Sequence, residues 1–341
     1  MKKILFAAVA VMAMAACSNE DVVSRPEGAV IGFDTFVNNT TRVATDLTSE
    51  NLKNFGVYGS VVNSSNQQGM IFTNQEVTGS KDNGYSYSPV QYWIADASYD
   101  FVAFAPYQTG ADATWTYTPA GGKDAYNGVL SFDNAAAEGE QDLLFASAER
   151  TTGTLDATPD KVGFTFGHLL SKVAFKFTNV FTDGKITLNV YDVKVTNAAA
   201  EGTIEVANGV TGNWTAAGDY IRTFGLDAAD ASNLLANDGG NFTTEHFYFI
   251  PAQRDYNIQF KVDVTQAGVL LKTYQHNVTS NINIEKGKSY SISANLAPEN
   301  VNPDPNEQLY PIEFKVDRVD NWDPATGGTE VEIPEYTPAN N

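Results

Sequence analysis

The chain has 341 residues, of which 43% are apolar and 12% aromatic, a composition that excludes a disordered polypeptide and allows two domains of common size. Its formal net charge of −20 disfavours long-range attraction to nucleic acid or to an anionic lipid surface. With 27 glycines and a single cysteine, the sequence predicts a β-rich exported protein stabilised by packing and hydrogen bonding rather than by disulfides.

The amino-terminal residues have the order of a secretory signal. Lys2 and Lys3 precede an apolar run from Ile4 to Ala16, which at about thirteen residues is too short to span a bilayer as a helix. The run ends at Cys17, the only cysteine. This order resembles the lipobox of bacterial lipoproteins, which implies cleavage of the Ala16–Cys17 bond and lipidation of the Cys17 thiol. The alternative is an ordinary signal peptide followed by an incidental cysteine.

An acidic tether follows the signal peptide of residues 1–16. It covers residues 17–28, begins with Glu20 and Asp21 close behind the cysteine, and contains Pro26 and Gly28. Acidic residues in this position resemble the export signal of surface lipoproteins in the Bacteroidetes, which implies the outer face of the cell outer membrane. The alternative is a solvated linker.

The first half of the remaining chain predicts a β-sandwich over residues 29–157. A polar loop with one arginine, Arg42, separates the first two strand candidates, and prolines and glycines separate the later ones. A polar stretch between Arg150 and Lys161 marks the predicted domain boundary. Alternating or continuous apolar runs predict strands at residues 29–37, 55–62, 85–88, 99–105 and 114–118.

The second half, residues 158–341, repeats this pattern and predicts a second β-sandwich. A proline-rich interruption follows Asn302, and the last apolar pair is Val331 and Ile333. The fold class is therefore predicted to be all-β. The strands are expected at residues 173–177, 186–195, 247–250, 256–264, 290–296 and 312–319.

Sites for catalysis or metal binding are not indicated. His168, His246 and His276 are the three histidines, and none has a second histidine at metal-ligand spacing. His168, beside two leucines, is expected to be a packed or capping residue. We therefore predict no catalytic residue, no metal and no cofactor, although a pair of acids among the 41 carboxylates leaves a glycosidase open.

Two further patterns have a simple structural interpretation. Asn302 and Asp304 have an odd spacing like that of calcium ligands, but the interleaved prolines favour a stiff linker. Trp115 and Trp214 could stack on sugar rings, whereas burial in a β-sandwich core is the commoner role of such side chains.

A series of short motifs extends along nearly the whole chain. Their order, from residue 1 to about residue 322, is similar to that of the fimbrillin family of Bacteroidales. The motifs are the lipobox, Thr41-Arg42 before Phe55-Gly56-Val57-Tyr58, the block from Tyr92-Trp93 to Phe104-Ala105-Pro106, Asp142-Leu143-Leu144-Phe145-Ala146, Phe166-Gly167-His168-Leu169-Leu170-Ser171-Lys172-Val173, Phe249-Ile250-Pro251-Ala252-Gln253 and Val319-Asp320-Asn321-Trp322.

The resemblance implies a type V pilus subunit with two transthyretin-like β-sandwiches. In that family an arginine-specific protease cuts a lipidated precursor after its first strand, and a strand of a neighbouring subunit fills the vacated groove. Here the removable strand would be residues 29–37 and the cleaved bond Arg42–Val43. Arg25, which precedes Pro26, and Arg150 are rival sites. The donor strand would be residues 312–319 or 329–333.

The resemblance also sets the expected partners and leaves one alternative. The partners are other fimbrial subunits, the outer membrane through the lipid of the precursor, the maturation protease and a host or bacterial surface ligand, without nucleic acid. The subunit's rank as stalk, tip, accessory or anchor is left open. The alternative function is a monomeric surface lipoprotein of similar architecture that binds carbohydrate.

Overall fold

The computed structural model describes residues 29–37, 46–155, 159–182, 185–228, 233–304, 308 and 310–322. These residues form β-strands and connecting loops without an α-helix, so the all-β prediction is confirmed. None of them belongs to a helix long and apolar enough to cross a membrane. The strands are β1 Phe33–Val37, β2 Asn54–Val62, β3 Gln68–Ser80, β4 Gly84–Ser86, β5 Ser98–Ala105, β6 Trp115–Ala120, β7 Asp124–Asp133, β8 Leu144–Thr151, β9 Val162–His168, β10 Ser171–Asn179, β11 Ile186–Ala198, β12 Glu201–Ala207, β13 Val210–Ala217, β14 Tyr220–Thr223, β15 Leu234–Leu235, β16 Asn241–Thr243, β17 Phe247–Phe249, β18 Gln253–Gln266, β19 Val269–Asn283, β20 Lys288–Leu296 and β21 Lys315–Asn321.

A seven-stranded sheet, called the rolled sheet below, dominates the amino-terminal half. Its strand order is β1-β9-β8-β5-β2-β3-β4. The two terminal strands nevertheless meet, because the Thr35 hydroxyl of β1 donates a hydrogen bond of 2.7 Å to the Tyr85 oxygen of β4. The sheet therefore curls around an interior, which is filled by aromatic side chains from β1, β2, β3, β5 and β9.

A second sheet covers the outer face of the rolled sheet. It has the order β13-β12-β7-β6, and its aromatic and aliphatic side chains pack against Tyr58, Val102 and Phe104 from the rolled sheet. Because the side chains of a strand alternate between its two faces, β5 contributes Phe101 to the interior of the rolled sheet and Val102 to this second core.

The carboxy-terminal half contains a sandwich of two further sheets. One has the order β16-β10-β20-β21 with β17 also paired to β10, and the other has the order β14-β11-β18-β19 with β15 also paired to β11. The apolar face of β18 shows why the two sheets pack against each other. Its side chains Tyr256, Ile258, Phe260 and Val262 alternate with more exposed residues and pack in the core shared by the two sheets.

Sheet membership does not follow the boundary expected at residue 157. Strand β9 lies after that boundary but pairs with β1 and β8 of the rolled sheet. Strand β12 lies still later and pairs with β7, and β13 pairs in turn with β12. The polar stretch before Lys161 is thus a loop within the amino-terminal body, and the chain crosses between the two bodies several times.

Candidate functional site

Strand β1 and Ile31, two residues before it, supply one side of the rolled-sheet interior. Ile31, Phe33 and Val37 are at most 2% exposed, and Thr35 is 9% exposed. The intervening Asp34 and Phe36 point outward. This alternation follows from the period of two in a strand, and Ile31 together with three residues of β1 forms a row of four inward side chains at the edge of the sheet.

Phe33 is the central member of this row. Its ring stacks on Phe164 with the centroids 5.6 Å apart, and it meets the ring of Phe72 edge-on at the same distance. The rings of Phe55 and Phe101 lie 6.4 and 6.2 Å away. A side chain of this size contributes about 1.5–3 kcal/mol by burial alone, so the rolled sheet depends on β1 for much of its packing.

Among the described residues, the main chain of β1 pairs with one strand, β9. It runs parallel to β9, with Phe33 opposite Val162 and Val37 opposite Phe166. On the other side, the residues before β1 make backbone contacts, since the Ile31 N–H donates to the Gln91 carbonyl oxygen at 3.0 Å. Side chains add to them: the Tyr87 hydroxyl donates to the Ile31 carbonyl oxygen at 2.7 Å, and the Val37 N–H donates to the Ser49 hydroxyl at 2.8 Å. Strand β1 therefore fills a groove without forming a full ladder at both edges.

A buried ion pair fixes the chain just after β1. Asp46 is the first described residue after Val37, and its carboxylate lies 2.7 Å from the Lys172 ammonium, with both side chains at most 1% exposed. The Tyr248 hydroxyl donates a 2.9 Å hydrogen bond to the other Asp46 oxygen. A buried pair of charges is tolerated only when it is compensated in this way, so Asp46 is held firmly against the carboxy-terminal sandwich.

Trp322, the last described residue, packs on the same cluster. Its ring lies 4.4 Å from the Lys172 ammonium and is stacked on His168, with the ring centroids 3.7 Å apart. His168 in turn lies 3.0 Å from Asp142, and this pair is also buried. The structure confirms His168 as a packed residue. Asp46, the first described residue after β1, and Trp322, the last described residue, therefore lie in the same cluster, where the amino-terminal and carboxy-terminal halves meet.

Of the other two histidines, His246 lies near this cluster and His276 lies apart from it. Burial lowers the pKa of His276 to about 4, and its ring stacks on Phe260 at 4.8 Å. Burial and the nearby Lys172 lower the pKa of His246. The described part of the chain contains no group of three or more histidine, cysteine or acidic residues that could hold a metal ion.

The predicted processing residues lie outside the described residues. This applies to Ala16 and Cys17, to Arg42 and Val43, and to the rival Arg25. The rival Arg150 is described: it lies at the exposed end of β8 and donates a 3.0 Å hydrogen bond to the Lys161 carbonyl oxygen.

Of the two predicted donor strands, one is built into the protein's own sandwich. Ile312 and Phe314 belong to the carboxy-terminal core, where the Phe314 ring packs on Phe175 and Phe177, and β21 pairs with β20. Residues 329–333 lie outside the described residues.

The cluster of Asp46, Asp142 and Lys172 was not predicted from the sequence. Each is an ordinary charged residue in its local sequence, and only the fold brings them together. Asp142, Lys172 and Trp322 entered the prediction only as members of motifs. A lysine flanked by buried residues in a strand, as in Ser171-Lys172-Val173, is the one local signal of a buried charge.

Comparison with solved structures gives matches at low sequence identity. A proposed cell adhesion protein of Bacteroides ovatus is 16% identical, with 86% of this chain and 98% of that chain covered and a TM-score of 0.49. A second from Bacteroides uniformis is 18% identical over 86% and 98% of the chains, with a TM-score of 0.45. The fimbrial anchor protein Mfa2 of Porphyromonas gingivalis is 9% identical over 86% and 98%, with a TM-score of 0.35.

Comparison of the sequence with protein families gives the assignment. No curated protein matches the chain. The model of the fimbrillin-like family matches residues 41–308, which is more than half of the chain and includes Asp46 and Lys172 as well as β9 and β10. The chain therefore belongs to the fimbrillin-like family.

Proposed function

We propose that this chain is a structural subunit of surface fimbriae, exported as a lipid-anchored precursor and assembled by strand exchange. The observation that carries the proposal is the position of β1, an edge strand whose inward side chains fill the rolled sheet. Arg42 lies between this strand and Asp46. Cleavage of the Arg42–Val43 bond would disconnect β1 from the rest of the protein.

Loss of β1 would create a site for a strand from another subunit. The β9 edge would lose its parallel partner, and the pockets of Ile31, Phe33 and Val37 would open to water. A strand with alternating apolar side chains restores both the backbone pairing and the packing. Polymerisation then follows from one proteolytic event, and the membership of the fimbrillin-like family supports this order of steps.

The junction cluster supports the proposal from the other side of the cut. Asp46 lies four positions after Arg42, and its buried ion pair with Lys172 does not involve β1. The new amino terminus would therefore remain attached at Asp46 while the lipid on Cys17 leaves with the first strand. In this scheme the lipid delivers the precursor to the outer membrane and the assembled subunit lies in the fimbrium, where it contributes to adhesion.

Amino-terminal sequencing and intact mass of the surface-displayed protein test the proposal. We expect a mature chain that begins at Val43 and forms a detergent-resistant ladder. Arg42→Ala should leave a full-length precursor without polymer, whereas Arg150→Ala, a matched control at an exposed strand end, should be processed normally. A lipidated monomer that begins at Cys17 and is retained by a glycan column would contradict the proposal and favour the carbohydrate-binding alternative.

A further inference from the structure

A cavity of about 490 Å³ lies where the amino-terminal body meets the carboxy-terminal sandwich. One wall is β13, with Asn213 and Trp214, and the other is the start of β18 and the end of β19, with Gln253 and Asn283. Its lining residues belong neither to the groove that β1 fills nor to the cluster around Asp46. Its volume falls within the range of about 300–1,000 Å³ that is typical of small-molecule sites, which occur preferentially at such junctions.

Trp214 is held at this cavity in one orientation. Its indole Nε1 donates a 2.7 Å hydrogen bond to the Leu169 carbonyl oxygen. Its ring lies against β12 at Gly202, where a Cβ atom would be 3.0 Å from the ring atom Cε3. The other three tryptophans are at most 4% exposed, whereas Trp214 is only partly buried. A ring that is fixed in advance and still partly exposed offers a flat apolar surface to a ligand at little cost in conformational entropy.

Amide side chains line the opposite wall. Gln253 and Asn283 lie directly opposite each other in the β18–β19 ladder, so their side chains leave the same face of the hairpin about 4.5–5.5 Å apart. Both residues are exposed. The Asn283 amide donates a long hydrogen bond of 3.4 Å to the Glu285 carboxylate, and the Gln253 side chain has no hydrogen bond among the described residues. Because an amide both donates and accepts, this wall can bind hydroxyl groups in either role.

The charges of the cavity disfavour an anionic ligand. The Lys286 ammonium donates to the Thr211 carbonyl oxygen at 3.2 Å, to the Thr211 hydroxyl at 2.8 Å and to the Gly212 carbonyl oxygen at 3.1 Å. These bonds use the three N–H groups of the lysine and join β13 to the turn after β19. The Glu285 carboxylate also lines the cavity, in a chain of net charge −20. The site therefore fits a neutral molecule with several hydroxyl groups better than a phosphate or a carboxylate.

We infer that this cavity binds a neutral saccharide, with one pyranose ring packed on Trp214 and its hydroxyl groups bonded to Gln253 and Asn283. A pyranose has an apolar C–H face and a rim of hydroxyl groups, which match an exposed indole beside two amides. The Glu285 carboxylate can accept from a further hydroxyl. The inference rests on the proposed function for its role, the attachment of a fimbrial subunit to a glycan-covered surface. The site itself involves neither β1 nor cleavage at Arg42, so precursor and mature chain should both bind.

Glycan-array binding of the full chain, followed by fluorescence titration, tests the inference. The array contains glycans that end in mannose, galactose, glucose, fucose or N-acetylglucosamine, together with sialylated and sulfated glycans. We expect a neutral glycan to be retained and to change the tryptophan fluorescence, and Trp214→Phe to remove that change. Gln253→Ala should weaken binding about two- to tenfold, the effect of one hydrogen bond. The matched control Gln275→Ala, an exposed glutamine of the same hairpin opposite Lys261, should bind like the unmodified chain. Desialylated mucin and a neutral bacterial polysaccharide, tested separately, distinguish a host surface from a bacterial one.

The outcomes separate this inference from the proposed function. Retention of no neutral glycan, or of sialylated or sulfated glycans alone, overturns the saccharide site. Unchanged affinity in Gln253→Ala, or a fluorescence response that persists in Trp214→Phe, overturns it as well. Fimbriae that form normally but bind no glycan leave the proposed function intact, whereas a chain that binds a neutral glycan at this cavity and never polymerises contradicts the proposed function alone.

Discussion

Phe33→Ala should destabilise the precursor and leave the processed polymer unchanged. The Phe33 side chain is 1% exposed and its ring is surrounded by the rings of Phe55, Phe72, Phe101 and Phe164. Truncation of such a side chain removes its burial and leaves a cavity, which together lower the free energy of unfolding by about 3–5 kcal/mol. If residue 33 is discarded on maturation, the assembled fimbria contains no trace of the change.

The assay is urea denaturation of the precursor and of isolated fimbriae. Tryptophan fluorescence reports on the affected core, because the Trp93 ring lies 6.2 Å from Phe101. Phe36→Ala is the matched control: it lies on the same strand but is 50% exposed, so its effect should stay within about 0.5 kcal/mol. Equal destabilisation of precursor and fimbriae by Phe33→Ala would show that β1 is retained and would refute its exchange.

Two further predictions concern the junction and the carboxy-terminal core. Lys172→Met removes the cation that compensates the buried Asp46 carboxylate and should lower the free energy of unfolding by about 3–5 kcal/mol. Asp46→Leu combined with Lys172→Met should recover most of this loss in the same denaturation assay. A double variant that is no more stable than the single one would contradict this role of Lys172. Because burial lowers the pKa of His276 from 6.5 to about 4, the unfolded chain binds a proton in this range before the folded one does, so stability should fall as the pH drops from 6.5 towards 4. His276→Gln should reduce the pH dependence of the denaturation midpoint, and an unchanged slope would exclude His276 as its source.

The sequence alone determined the strands that have one buried face. In β18 and β20 apolar side chains alternate with polar ones because one face meets the core, and period two is then visible without any knowledge of the partner strand. The inward row of β1 was visible for the same reason. The family resemblance, carried by short motifs in a constant order, also needed no structure.

Strands with few buried apolar side chains were harder to predict from the sequence. Strand β19, Val269–Asn283, is exposed over most of its length, so no face of it has to be apolar and no period appears. Strand β12 was also missed: it has one buried face, but Gly202 stands in that row and leaves only Ile204 and Val206 as large apolar side chains. Strand β13, which pairs with β12, has no buried residue and was missed for the same reason as β19.

Only the tertiary structure decided which distant residues meet. Asp46 and Lys172 are 126 positions apart, and the pairing of Thr35 with Tyr85 joins the two edges of one rolled sheet. Local sequence carries the preference of each side chain for water or for the core, but a hydrogen bond or ion pair between strands depends on sheet order and register. The groove that β1 fills therefore belongs to the fold, while the alternating residues of β1 can be recognised in the sequence.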